Sequence, residues 1–571
     1  MTTTRIETHF PKHPPVVEKA KENGKKISFY KKDETMQLIL KEYLDADFFQ
    51  YANERLMQFG ELCANEIDER ATHTDREGEP RLIRYNEYGE DISEIWVNEG
   101  YKKTVEQTYN EGIVGYVHKN IPELNAKGNY TYSFAQGYVL SQTEPGFYCP
   151  VTLTLATAYL LDHYGDEQIK EKFLPNVCST GEQPLFEGAT FLTERQGGSD
   201  VGANQVKAVK DGDHYRLYGE KYFASNAGMC GVAMVLARIE GSEEGSRGLT
   251  LFALPWRNED GSLNDLSIRR LKDKLGVKAV PSGEVEFYGS KAYVVGDPKK
   301  GFYYMMEALN LSRVSNSVAS VGIMKRAYEE AFAYASRRNA FGHKLVEYPM
   351  VQDTLMKMKA KLHVETATIF DMIQLYEKVT SYEATDEEVI LNRLNIAMIK
   401  KETAYQAIHF SHEAIEMLGG NGYIEDFVTP RLLRDAQVLS VWEGTANILG
   451  LEVVRLFNKY NAHLLYFKQI EERLEGLKQS ELYEQVVEIY TKIKEEINKF
   501  VQLAYDEQTF YSKQLSKKMN AMYETIVAVE WADKHGDKYE KLAKIFIEDE
   551  WNLREIGDEM ITVKYFAELT K

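Results

Sequence analysis

The 571-residue chain contains very little cysteine, and its cysteines are poorly spaced for cross-linking or metal binding. The four residues, Cys63, Cys149, Cys178 and Cys230, lie far apart and form no Cys-x-x-Cys pair. A disulfide framework and a cysteine metal knuckle are therefore not expected, and a reducing, cytoplasmic environment is.

Segments that would direct the chain into a membrane are also missing. The first fifteen residues are polar and interrupted by proline, without the apolar stretch of a secretory signal, and residues 1–30 look like a polar arm. The longest uncharged run lies between Glu144 and Asp162, and Pro145 and Pro150 break it too early for a bilayer-spanning helix. We therefore expect a soluble protein without a membrane partner.

Positive charge is scarce as well. The chain has 69 Lys and Arg residues against 88 Asp and Glu residues, a net charge of −19. Residues 461–571 alone hold 16 basic and 22 acidic residues, a net charge of −6. Because this charge repels nucleic acid, DNA binding is not expected. One local basic group, which we interpret as a solvated hairpin rather than a DNA-binding stripe, comprises Arg269, Arg270, Lys272, Lys274 and Lys278.

Two common nucleotide-binding loops are absent from the sequence. No Gly-x-Gly-x-x-Gly motif follows a predicted strand, and no Gly-x-x-x-x-Gly-Lys-[Ser/Thr] motif occurs. A Rossmann dinucleotide site and a P-loop therefore have no support.

The pattern of apolar residues changes twice along the chain. Helical spacing gives way to strand-like alternation near Pro184 and returns at Phe302. The alternating runs, divided by turn signals, are residues 214–223, 232–239, 249–255, 266–271 and 283–295. The pattern predicts an N-terminal helical domain (1–185), an antiparallel β domain (186–296), a helical bundle (297–460) and a C-terminal helical extension (461–571).

The most distinctive stretch is residues 418–449. It opens with a glycine loop that includes Gly419 and Gly420, where left-handed backbone and close approach to a ligand are tolerated. It ends on Trp442-Glu443-Gly444-Thr445. A single carboxylate between a large aromatic residue and a glycine can have its pKa raised by desolvation, which suits a base near neutral pH.

Two other motifs contain groups that can bind anions. In residues 190–201, Thr193 and Ser199 supply hydroxyls and Gly197-Gly198 lets backbone N–H groups approach a ligand, although composition alone favours an ordinary polar loop. In residues 337–352, an arginine at a helix end suits phosphate recognition.

A metal site is not expected. His409 and His412 have Glu413 beside them, but no matching cluster occurs elsewhere, so we interpret them as helix-face residues.

In the order in which they occur along the chain, the motifs resemble those of the acyl-CoA dehydrogenase family over about residues 40–460. The resemblance implies an α+β fold with an N-terminal helical domain, a central antiparallel β domain and a helical bundle, followed here by an extra helical domain. The segments 149–154, 193–201 and 270–276 and the long C-terminal block resemble the AidB-type branch, which is associated with the alkylation-damage response.

The same resemblance implies FAD as the cofactor. Thr193 would bond the isoalloxazine edge, Gly198 and Ser199 would lie near the pyrophosphate, and Phe223 with Ser225 would cover the ring. The resemblance also implies a homotetramer built as a dimer of dimers. In it, three residues of each subunit would reach the FAD of a neighbouring subunit, namely Arg338, Phe341 and Gln352. Further cofactor contacts implied by the resemblance are Gly419, Gly420, Thr445 and Asn447.

For the chemistry, the resemblance implies α,β-dehydrogenation of an acyl-CoA thioester. Glu443 would take the α proton while hydride leaves the β carbon for flavin N5, and electron-transfer flavoprotein would be the acceptor. The substrate would be contacted by Arg313, Trp442 and Gly444. Some family members carry the base on the helix of Arg313, but the matching residue here is Ser312, which cannot serve.

Two alternative functions remain open from the sequence. One is an AidB-type protective or DNA-associated flavoprotein with little dehydrogenase turnover, against which the acidic C-terminal block argues. The other is a related flavin oxidase that passes electrons to oxygen.

Overall fold

The computed structural model describes residues 21–22 and 25–570, so the first twenty residues of the predicted polar arm lie outside the described residues. The N-terminal part is helical with three short antiparallel hairpins. Its helices are α1 (Glu34–Tyr43), α2 (Ala46–Leu62), α3 (Asp68–Arg76), α4 (Glu99–Asn110), α5 (Gly115–His118), α6 (Tyr130–Ser141), α7 (Pro145–Tyr164) and α8 (Glu167–Val177). Its strands are β1 (Lys21–Glu22), β2 (Lys25–Lys26), β3 (Arg81–Tyr85), β4 (Asp91–Trp96), β5 (Asn120–Ile121) and β6 (Ala126–Lys127).

Helices α6 and α7 form the centre of this part. Nearly every residue of both is buried, in keeping with the almost continuous apolar sequence of α7. Pro145 stands at the first turn of α7, where a missing backbone N–H costs nothing. Both helices pack against the long helix that begins the bundle, and this brings α7 next to the candidate site.

A seven-stranded sheet follows in the middle of the chain. Its spatial order is β11-β10-β8-β9-β13-β12, with β7 beside β10. The strands are β7 (Glu187–Phe191), β8 (Lys207–Asp211), β9 (His214–Ser225), β10 (Cys230–Ile239), β11 (Leu249–Pro255), β12 (Leu266–Leu271) and β13 (Ser282–Val294).

The predicted fold class is confirmed, with one correction to the sheet. Most neighbouring strands are antiparallel, but β10 runs parallel to both β7 and β8. The description as an antiparallel domain is therefore incomplete, because alternation along one strand does not report the direction of its neighbour.

The third part is a bundle of long helices that leads into the C-terminal extension. The bundle comprises α9 (Gly301–Ala335), α10 (Pro349–Thr380), α11 (Asp386–Leu418), α12 (Thr429–Leu439) and α13 (Ala446–Tyr460), with a small hairpin, β14 (Asn339–Ala340) and β15 (His343–Lys344), between α9 and α10. The extension comprises α14 (Ala462–Gly476), α15 (Tyr483–Phe500), α16 (Tyr505–His535), α17 (Asp537–Glu550) and α18 (Ile561–Leu569).

The extension packs on the bundle through a buried charge cluster, which we call the Lys361 cluster. The Lys361 ammonium on α10 lies 2.8 Å from a Glu524 oxygen on α16 and 3.0 Å from a Glu550 oxygen on α17. It also lies 3.3 Å from Glu365, one turn further along α10. The half-buried Lys361 thus faces three acidic side chains, two of which belong to the extension.

Within residues 26–570, no helix combines the length and the apolar character that crossing a bilayer would require.

Candidate functional site

The candidate site is centred on the turn between α12 and α13, which carries Trp442, Glu443 and Gly444. Glu443 has a φ of 54° and Gly444 a φ of 104°. A glutamate rarely adopts left-handed backbone, and such strain persists only where surrounding contacts enforce it. The turn is therefore held by specific interactions rather than by its own preference.

Two buried cations hold this turn by its backbone. The Lys400 ammonium on α11 donates to the Trp442 carbonyl at 2.5 Å and to the Gly444 carbonyl at 2.9 Å. The Arg313 guanidinium on α9 donates through Nε to the Glu443 carbonyl at 3.0 Å. Three successive carbonyl groups are thus satisfied by charged donors, and the side chain of Glu443 is left to point elsewhere.

The Glu443 carboxylate is half-buried and lies beside Asn316 of α9. The amide nitrogen of Asn316 donates to Glu443 Oε2 at 3.0 Å. Burial raises the pKa of Glu443 above its ordinary value, while Lys400, the Asn316 hydrogen bond and Arg313 oppose that rise. A carboxyl group with a raised pKa on a rigid turn has the properties of a general base.

The cation nearest to this carboxylate is itself perturbed. Burial lowers the pKa of Lys400 to about 8, with the Glu443 charge acting in the opposite direction. On α7, burial and the Glu443 charge raise the pKa of Cys149 to about 12, so its thiol is neutral at physiological pH. The site therefore combines one carboxylate, two cations and one neutral thiol.

The Arg313 guanidinium forms hydrogen bonds to other groups of the protein. It is buried, and besides the Glu443 carbonyl it contacts Asn310 Oδ1 at 3.0 Å. Its predicted contact with the substrate stays a prediction. The neighbouring Ser312 donates to the Ala308 carbonyl of its own helix.

The loop at residues 193–199 leaves β7 and folds against β9. Thr193 accepts through its carbonyl from the Tyr222 N–H at 2.9 Å, which places this loop beside the strand that carries Phe223 and Ser225. A Cβ atom at Gly198 would lie 2.5 Å from Thr193 Oγ1, so glycine is required for this close approach. Gly198 and Ser199 are exposed.

A buried ion pair that the sequence did not reveal supports this loop. Glu194 and Lys221 are both buried, and Glu194 Oε1 lies 2.8 Å from the lysine ammonium. Glu194 also accepts from the backbone N–H groups of Gln205 and Val206. The carboxylate therefore joins both ends of the loop to β9, and the loop is rigid at its base.

The aromatic residue predicted to cover the flavin is presented at the surface. Phe223 is 52% exposed, and the Lys272 ammonium lies 4.8 Å from its ring centroid. Ser225 pairs with the Ser282 hydroxyl at 3.2 Å.

Three members of the local basic group, Arg269, Arg270 and Lys272, form ion pairs with acidic residues of neighbouring strands. Arg269 lies 2.7 Å from Glu220, and Lys272 lies 2.5 Å from Glu284. The half-buried Lys274 departs from the predicted solvated hairpin, because its ammonium donates to backbone carbonyls of its own loop. Further ion pairs of the group join Arg269 to Glu284 and Glu286, and Arg270 to Glu284.

The arginine motif surrounds the β14–β15 hairpin. Arg338 is exposed, and Phe341 at the hairpin tip is 97% exposed with a φ of 51°. Gln352 at the start of α10 donates to the Val346 carbonyl at 3.0 Å. An exposed phenylalanine in strained backbone has no packing role within its own chain.

The glycine loop forms a short 3₁₀ turn after α11, and Gly419 and Gly420 are both exposed there. Asn421 of this loop contacts the Tyr334 hydroxyl at 3.4 Å near the end of α9, close in sequence to Arg338. A Cβ atom at Gly419 or Gly420 would meet nothing within 4 Å, so their backbone is open to a ligand.

Thr445 and Asn447 are exposed at the start of α13. Hydrogen bonds thus bring together Glu443, Trp442, Gly444 and Arg313, and separately the loop of Thr193 and strand β9. Asn316 and Lys400 were not predicted from the sequence as site residues. The position of Lys400 directly after the apolar run Ile396–Ile399 was a signal that this lysine is buried.

In the described part of the chain, no group of three or more His, Cys, Asp or Glu side chains could hold a metal ion. His409 and His412 lie largely exposed on α11, each near a glutamate of the same helix.

Three family models match the chain in succession. The adaptive response protein AidB N-terminal domain matches residues 21–182, the acyl-CoA dehydrogenase middle domain matches residues 189–289, and the acyl-CoA dehydrogenase C-terminal domain matches residues 299–456.

Relatives that align over most of the chain agree with these matches. Acyl-CoA dehydrogenase family member 11 of Caenorhabditis elegans is 32% identical over 461 residues, which is 79% of this chain and 74% of the relative. Putative acyl-CoA dehydrogenase AidB of Escherichia coli is 30% identical over 391 residues, 66% of this chain and 69% of the relative. The crystal structure of Caenorhabditis elegans ACDH-11 in complex with C11-CoA has a TM-score of 0.84 at 28% identity and covers 93% of each chain.

The predicted family resemblance and the predicted class of enzyme are therefore confirmed. Because the domain models match in order and a 32% identical relative aligns over most of both chains, the protein is a member of the acyl-CoA dehydrogenase family.

Proposed function

We propose that the protein is an FAD-dependent enzyme that introduces an α,β double bond into an acyl-CoA thioester, with Glu443 as the base. The observation that carries this proposal is the half-buried Glu443 carboxylate, whose pKa burial raises and whose backbone is fixed by Lys400 and Arg313. The acyl-CoA ligand in the ACDH-11 structure supports the substrate class.

The groups available around the loop of Thr193 and the glycine loop fit a flavin dinucleotide. The Gly198 and Ser199 backbone and the open backbone of Gly419 and Gly420 offer N–H donors for phosphate oxygens. Phe223 offers an exposed ring beside Ser225. When bound, FAD supplies the two-electron acceptor for the β hydrogen.

The contribution of the protein to the reaction is proton removal and positioning. Glu443 accepts the proton as the Cα–H bond of the substrate breaks. Lys400 and Arg313 keep the turn rigid, so that the carboxylate does not reorient during the step. The Glu443 N–H would polarise the thioester carbonyl as an oxyanion-type donor, and Trp442 would border the acyl chain.

The dehydrogenase and the oxidase alternatives differ in their acceptor. We expect purified enzyme with bound FAD to convert an acyl-CoA into the enoyl-CoA, detected by mass spectrometry, with an artificial acceptor but not with oxygen. Electron-transfer flavoprotein is the proposed physiological acceptor. Equal turnover with oxygen alone would instead identify an oxidase.

Arg338→Ala tests the proposal that FAD is shared between subunits of a homotetramer. The exposed Arg338 and Phe341 support a contact with a neighbouring subunit. Because a guanidinium–phosphate contact is charge-assisted and bidentate, we expect the variant to lose FAD on gel filtration while its unfolding temperature in the apo form stays unchanged.

A matched control for this variant is Arg247→Ala, since Arg247 is an exposed arginine of the β domain whose glutamate contact is long, at 3.9 Å. Full FAD retention in Arg338→Ala, equal to that of the control, would contradict the shared site.

A DNA-associated role is the second candidate, and the AidB matches favour considering it. We expect no appreciable binding to duplex DNA at physiological salt, because the net charge is −19 and the basic group around Arg269 is already ion-paired. Fluorescence anisotropy over a salt series checks this. Micromolar affinity that falls steeply with salt would show that the expectation is wrong.

A further inference from the structure

Asn316 on α9 occupies a special position beside the base. It is 4% exposed, and its amide nitrogen donates both to Glu443 Oε2 at 3.0 Å and to the Leu439 carbonyl at 3.1 Å. Its amide oxygen is buried and has no hydrogen-bond partner among residues 26–570. Both side-chain hydrogen bonds of Asn316 to described residues are therefore made by the nitrogen of its amide.

The Leu439 carbonyl fixes the orientation of this amide. A carbonyl oxygen accepts hydrogen bonds and cannot donate, so rotating the Asn316 amide by half a turn would place two oxygens against each other. The amide can therefore only donate to Glu443. A fixed donor stabilises the carboxylate but offers nothing to the protonated acid.

We propose that Asn316 is a positioning residue of this reaction, which keeps the Glu443 carboxylate oriented and in its proton-accepting form. The inference rests on the proposed role of Glu443 as base and assigns a function to a residue that does not itself take the proton.

The other groups that face Glu443 set the conditions of the test. They are Lys400 from α11, Arg313 from α9 and Cys149 from α7. Burial raises the pKa of Cys149 to about 12, so the thiol does not titrate near neutral pH. Burial lowers the pKa of Lys400 to about 8, so Lys400 is mostly protonated well below that pH. In that range, a single ionisation of Glu443 should govern the pH dependence.

The experiment measures the rate of flavin bleaching by saturating acyl-CoA against pH, below about pH 8, in three variants of the FAD-loaded enzyme. Asn316→Leu removes the donor at similar volume, and Asn316→Asp replaces it with a like charge. Ser320→Ala is the control, since Ser320 is also buried on the same helix and its hydroxyl donates to the Asn316 backbone carbonyl rather than to Glu443.

We expect the midpoint of the rising limb to move up by about one pH unit in Asn316→Leu, which is a tenfold lower rate below both midpoints. It should move further in Asn316→Asp, because a second carboxylate disfavours ionisation of the first. The dissociation constant for acyl-CoA should change little, and so should the rate extrapolated to fully ionised Glu443. Ser320→Ala should titrate as wild type.

A second readout does not depend on turnover. A higher pKa of Glu443 in the folded state makes that state bind more protons, so the stability of Asn316→Leu should fall more steeply with rising pH than that of wild type. If Asn316→Leu does not fold, Asn316→Ser removes the same amide donor with less bulk and takes its place in both measurements.

Unchanged midpoints in the Asn316 variants, or an equal shift in Ser320→Ala, would overturn the inference while leaving Glu443 as the base. Failure of the proposed function has a different signature, because Glu443→Gln would then bleach the flavin at the wild-type rate whatever the Asn316 variants do.

Discussion

Glu443→Gln should abolish flavin reduction by acyl-CoA while leaving the fold, the FAD and the acyl-CoA affinity intact. Glutamine has nearly the same shape and can still accept from the Asn316 amide, so the turn held by Lys400 should survive. The amide cannot take the α proton, and loss of a general base costs about 10²–10⁴-fold in rate. Stopped-flow mixing under anaerobic conditions measures this directly.

The pH dependence provides a second result from the same variant. Because burial raises the pKa of Glu443, the wild-type rate should rise with pH through an ionisation above the usual glutamate value of about 4.3. This limb should vanish in Glu443→Gln. Glu488→Gln on α15 is the control, since that exposed carboxylate pairs with Lys492 of its own helix, and this variant should reduce at the wild-type rate.

Lys361→Met should give a large loss of stability without touching the site. The change leaves the buried Glu365 and Glu524 and the half-buried Glu550 without their cation. Breaking a buried ion pair from one side costs about 3–5 kcal/mol, and here three carboxylates lose their partner. We expect a lower unfolding temperature and easier proteolysis of the extension, measured by calorimetry and limited trypsin digestion.

The pH dependence of this loss has a defined sign. Burial raises the pKa of Glu524 to about 7 and that of Glu365 as well, and removal of Lys361 raises both further. A raised pKa in the folded state means that stability falls as pH rises, so the difference from wild type should be largest above about pH 7 and shrink toward acidic pH.

Lys378→Met is the matched control for Lys361→Met. Lys378 lies on the same helix but forms an exposed pair with Glu388, which contributes about 0–1 kcal/mol. Adding Glu550→Gln to Lys361→Met should restore part of the stability. Equal effects of the two lysine changes would show that the Lys361 cluster does not hold the extension.

Much of the fold was predictable because local patterns decide it. The alternation in residues 249–255 and 266–271 matches β11 and β12. Strands β7 and β8 were missed because they are five residues long, too short for a clear period, and β7 is almost wholly buried.

Site residues were predictable only where they belong to a distinctive sequence motif. Glu443 stands in a distinctive quartet, whereas Lys400 and Asn316 act through partners 42–44 and 127 residues away. The sequence does not distinguish a buried lysine from a solvated one, because tertiary packing alone determines the environment of the side chain. The same reason hid Lys221 and Lys361.

The most direct test of the central claim is an anaerobic titration of the purified, FAD-loaded protein with acyl-CoAs of increasing chain length and branching, followed by flavin absorbance. At least one acyl-CoA should bleach the flavin stoichiometrically in the wild type, and none should do so in Glu443→Gln. A protein that binds FAD and acyl-CoA but whose flavin stays oxidised with every member of the panel would contradict the proposed dehydrogenase function.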